Sequence, residues 1–66
     1  MDIGKSLKMA MLKNNMTRDE VAEKMGFHLS NVSRIVTTGV ITTETLARLA
    51  AVFNMQPSDF IKLGED

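Results

Sequence analysis

Residues 17–36 read TRDEVAEKMGFHLSNVSRIV. Thr17 suits an N-cap, because its hydroxyl can accept from a backbone N–H that the first helical turn leaves unpaired. Glu20 stands three places on, where its carboxylate can reach back to the Thr17 N–H and close a capping box. Asp19 and Glu20 also put negative charge at the positive end of the helix. Met16 before the cap and Val21 after it can close as a hydrophobic staple. Val21, Ala22 and Met25 then return at helical spacing, and Gly26 can end the helix at C′ without a Cβ penalty. After Phe27 a second helical segment begins at His28 or Leu29. Its buried side is Val32, Ile35 and Val36, and Ser30, Asn31, Ser33 and Arg34 face out. Three or four residues around a glycine separate the two helices, which is the spacing of a helix-turn-helix.

Working outward, Ile3, Leu7, Ala10 and Met11 recur on one side of a helix from about Asp2 to Asn14, ended by Asn14-Asn15. Gly4 weakens its first turn slightly. Residues 36–43 are β-branched apart from Gly39, so a small hairpin or edge strand competes there. The favoured reading is a helix end followed by an irregular loop, with Gly39 free to take positive φ. A fourth helix starts with Thr42 or Thr43 as cap, shows Leu46, Leu49, Ala50 and Phe53 at the required spacing, and is broken by Asn54. Pro57 suits the first position of a fifth, with Asp59 in its first turn and Phe60, Ile61 and Leu63 apolar. Gly64-Glu65-Asp66 should fray. The sequence thus predicts an all-α, five-helix single domain over residues 1–66, with the scattered Met1, Met9, Met11, Met16, Met25 and Met55 as adaptable core fillers.

Composition narrows the function. At 66 residues the chain has room for one core, and at 44% hydrophobic and 24% charged it reads as globular. It has no cysteine, which removes disulfides, thiol nucleophiles and zinc knuckles. His28 is the single histidine, with no second His, no Cys and no carboxylate cluster to orient or activate it. No enzyme, metal or cofactor is expected. No apolar run approaches the ~20 residues of a membrane span, and no signal-peptide core is present, so the expectation is a cytoplasmic protein without membrane contact. The eight basic and eight acidic side chains balance, but residues 1–40 carry six basic and four acidic, and the remainder two and four. A polyanion should therefore meet the first forty residues.

Ala22, Gly26, Val32 and Ile35 occupy the small, turn and two core positions of a known pattern, with Val21 and Met25 at further buried ones. Together with the first helix and the stretch LARLAAVFNMQPSDF at residues 46–60, they make the chain resemble the phage repressor and Cro family, the Cro/C1-type or XRE-type regulators. The resemblance covers practically the whole chain. It implies a lambda-repressor-like five-helix domain that binds double-stranded DNA, most simply a Cro-like repressor on a palindromic operator, acting as a homodimer. There are two departures. The family's Arg in helix one and its Glu just after the recognition helix fall at Met11 and Val36, so both charges are absent together and none is left unpaired. The family's loop glycine falls at Thr38, with Gly39 one place later.

Carried onto this sequence, the resemblance puts the start of the third helix deepest in the major groove. Arg34 can donate bidentately to guanine, Ser30 and Ser33 to either base type, Asn31 to adenine or a phosphate, and Leu29 can touch a thymine methyl or else belong to the core. Thr17 and Arg18 at the start of helix two, His28 before helix three, and Thr37 and Thr38 after it are the phosphate candidates. Met55, Gln56, Pro57, Ile61 and Leu63 are candidates for a small dimer interface, with Phe60 assigned to the core. A protein–protein module on the same fold, an antirepressor or adaptor, is the alternative from another class. The antitoxin of a toxin–antitoxin pair would add a protein partner to DNA binding.

Overall fold

The Asp2 carboxylate accepts from the Lys5 N–H at 3.0 Å and so starts the first helix one residue later than its cap. In the computed structural model, which describes residues 2–65, five helices follow in order: α1 (Ile3–Lys13), α2 (Arg18–Met25), α3 (Leu29–Thr38), α4 (Thr43–Val52) and α5 (Pro57–Leu63). The described residues contain no strand, so the β-branched stretch 36–43 takes the reading of a helix end followed by a loop. No single helix is long and apolar enough to cross a membrane.

The ends are those the side chains favour. Thr42 caps α4 through its hydroxyl, Pro57 opens α5, and Asn15 and Asn54 turn the chain after α1 and α4 at φ 54° and 56°. Asparagine tolerates that left-handed region better than most residues. Helix α3 runs to Thr38, so Val36, Thr37 and Thr38 lie within it and the loop is confined to residues 39–42. Gly39 stops the helix at φ 68°.

Helix α1 packs against α3 and α5, α2 against α3 and α4, and α4 against α5. Leu7, Val21, Val32, Ile35, Leu49 and Phe60 are the fully buried centre, and the Phe53 and Phe60 rings stack with centroids 6.2 Å apart. Met11 and Met25 are buried, and Met16 and Met55 pack on the same core as fillers; Met1 lies outside the described residues. Met11 is buried and Val36 half-buried on this one core.

Two glycines do more than propensity suggests. A Cβ on Gly4 would run into the Val36 carbonyl oxygen, so Gly4 is what allows α1 to lie on the last turns of α3. A Cβ on Gly64 would meet the Asp2 carbonyl and the Ser6 hydroxyl. Gly64 therefore lies close against α1, while Asp66 falls outside the described residues. Ser6, fully buried, donates its hydroxyl proton to the Ile61 carbonyl at 3.2 Å and ties α1 to α5.

Candidate nucleic-acid interface

Helix α2 is fixed at both ends. The Glu20 N–H donates to Thr17 Oγ1 at 3.2 Å and the Thr17 N–H to Glu20 Oε1 at 3.0 Å, completing the capping box. At the other end Gly26 adopts φ 75°, and the Gly26 and Phe27 N–H groups both donate to the Ala22 carbonyl. Arg48 of α4 adds a charged donor, Nη2 to the Met25 carbonyl at 2.7 Å. A cation at a helix C-terminus is favourable, and this one anchors the turn to α4. Sequence reasoning missed Arg48, because only the packing of α4 on α2 brings it there.

Helix α3 rides on this support. Val32 and Ile35 face the core, and Ala22, small and buried, belongs to the α2 surface that packs on α3. Ser30 and Arg34 are exposed, and Asn31 and Ser33 are half-buried. Leu29 is 42% exposed, which removes it from the core and leaves an apolar side chain on the open surface at the start of α3. His28 is the N-cap residue by backbone conformation, but its imidazole makes no capping bond. The first turn of α3 is thus without a side-chain cap.

Thr17 and Arg18 are both exposed at the start of α2, and the Arg18 Nη1 reaches α3, donating to Ser33 Oγ at 3.2 Å. Sequence spacing gave no sign of this contact between residues fifteen apart. Thr37 is exposed in the last turn of α3. Thr38 beside it donates its hydroxyl proton to the Arg34 carbonyl at 2.8 Å and accepts from the Val40 N–H at 3.2 Å. That staple shapes the start of the loop and leaves Thr38 no donor for a phosphate in this conformation. Between α3 and the loop lies a cleft of about 230 Å³, walled by Phe27, Ile35, Val40 and Ile41, with Asn31 and Arg34 among its lining residues. Arg34 is the only formally charged side chain between residues 25 and 43.

The candidate dimer residues are gathered on α5 and the turn before it, which pack on α1 and α4. Gln56 is exposed, whereas Met55, Pro57, Ile61 and Leu63 are half-buried, so much of their apolar surface already serves the core.

A family model described as the Cro/C1-type HTH DNA-binding domain matches residues 6–66. No individual curated protein matches the chain. The matched segment contains the capped α2, the glycine turn and the whole of α3, set among five helices in the order expected from the residues. The chain therefore belongs to the Cro/C1-type helix-turn-helix DNA-binding domain family, whose class of function is DNA binding in transcription regulation.

Proposed function

We propose that the protein is a sequence-specific double-stranded DNA-binding repressor of Cro-like type, which sets α3 into the major groove and binds a palindromic operator as a homodimer in the cytoplasm. The observation that carries this reading is the open face of α3. Leu29, Ser30, Asn31, Ser33 and Arg34 stand exposed or half-exposed on a helix anchored from beneath by Val32 and Ile35. A major groove admits one such helix, and these side chains can address its donors, acceptors and thymine methyls. Thr17, Arg18, His28 and Thr37 flank that face as phosphate partners. One domain offers too little contact for selective binding, so two copies meet through Met55, Gln56, Pro57, Ile61 and Leu63. With so little apolar surface free there, the dimer is weak in free solution and is completed on DNA. Repression then works by occupancy.

Selection from randomised duplex DNA, followed by sedimentation with the selected site, tests the reading. A palindromic consensus with half-sites about 34–36 Å apart and a 2:1 complex is expected. The exposed apolar Leu29 and Val40, in a stretch whose one formal charge is Arg34, favour an adaptor or antirepressor as second reading. That reading takes over when the protein retards no duplex at low salt.

A further inference from the structure

Arg18 opens α2 and Ser33 lies in the second turn of α3, yet Arg18 Nη1 donates to Ser33 Oγ at 3.2 Å. The guanidinium makes no ion pair among the described residues, and the Glu20 carboxylate is turned back onto the Thr17 N–H. A serine hydroxyl has one proton and two lone pairs. In a helix that proton is commonly given to the carbonyl four residues back, but Ser33 makes no such bond. Arg18 occupies a lone pair instead. The Ser33 hydroxyl is thus left with a proton to give, and a cation bonded to its oxygen makes it a better donor.

We propose that Arg18 is a specificity-determining residue: by holding Ser33 as a hydrogen-bond donor toward the major groove, it makes the pair select a base edge bearing an acceptor. Guanine, adenine and thymine each offer an acceptor there, whereas cytosine offers only its amino donor. Cytosine is therefore rejected at one position of each half-site. The remaining guanidinium donors stay available to a phosphate, so Arg18 serves affinity and readout together. This inference rests on the DNA-binding reading above.

The test compares selected-site profiles and affinities of the unaltered protein, Arg18→Ala, Ser33→Ala and the double variant, with circular dichroism to check the helices. Rejection of cytosine by roughly five- to tenfold is expected, the weight of one hydrogen bond between neutral groups. Both single variants should flatten that same position to within about twofold, and the double variant should flatten it no further. Arg18→Ala should also weaken binding to every sequence. Uniformly weaker binding by Arg18→Ala with cytosine rejection intact overturns the inference alone, and so does flattening at a position that Ser33→Ala leaves untouched. Failure of the unaltered protein to bind any duplex overturns the DNA-binding reading and this inference with it.

Discussion

Arg34 stands exposed on α3, and the carbonyl beneath its side chain is held by the Thr38 hydroxyl. A guanidinium fork on a fixed backbone can read guanine O6 and N7 together, whereas a mobile one would sample phosphates indiscriminately. Arg34→Ala is accordingly expected to lower specific binding by roughly 1–3 kcal/mol and to relax one position per half-site. Fluorescence anisotropy on matched and mismatched duplexes checks this, and an unchanged consensus would remove α3 from the role of reading helix. Asn31 is half-buried, but the outward direction of Arg34 and Ser30 was legible in the sequence, because it follows from the period that buries Val32 and Ile35. The Leu29 side chain was not, since an apolar residue at the edge of the stripe fits either side. Its exposure is decided by how α3 lies on α1 and α2, a tertiary fact. The meeting of Arg18 with Ser33 was equally hidden, because it depends on how α2 crosses α3.

Helix boundaries were written plainly where a side chain makes the cap. Thr17 with Glu20, Thr42 and Pro57 all stand where the sequence places them. Thr17→Ala removes one half of the capping box and should destabilise the domain by about 1 kcal/mol, measured by urea unfolding. The end of α3 was less legible. Threonine has poor intrinsic helix propensity, yet Thr37 and Thr38 are helical because the Thr38 back-bond and Gly39 complete the last turn. Gly4 misled in the same way. By propensity alone Gly4→Ala would stabilise α1 by about 1 kcal/mol. The added methyl, however, would strike the Val36 carbonyl, a backbone atom that no rotamer change can move aside. Overpacking of this kind costs roughly 1–3 kcal/mol, so Gly4→Ala is expected to lower the urea midpoint. A raised midpoint would mean that α1 and α3 sit further apart than described.

The molecule as a whole carries no net charge, and its reading surface is nearly neutral. With Arg18 of two copies as the phosphate-neutralising cation, the slope of log affinity against log salt should be about −2, shallower than that of a strongly basic regulator. Titration of a selected site between low and moderate salt measures it, and a much steeper slope would require phosphate contacts from other lysines. The tie between α1 and α5 bears on how the fold is reached. Ser6 and Ile61, joined by a hydrogen bond, are 55 residues apart, and Gly64 lies against Asp2. Helix α1 thus finishes burying its inner side only when α5 has arrived. Such long-range closure costs chain entropy before any contact returns it. The domain therefore folds cooperatively, and a growing chain cannot hold the native core until α5 has left the ribosome.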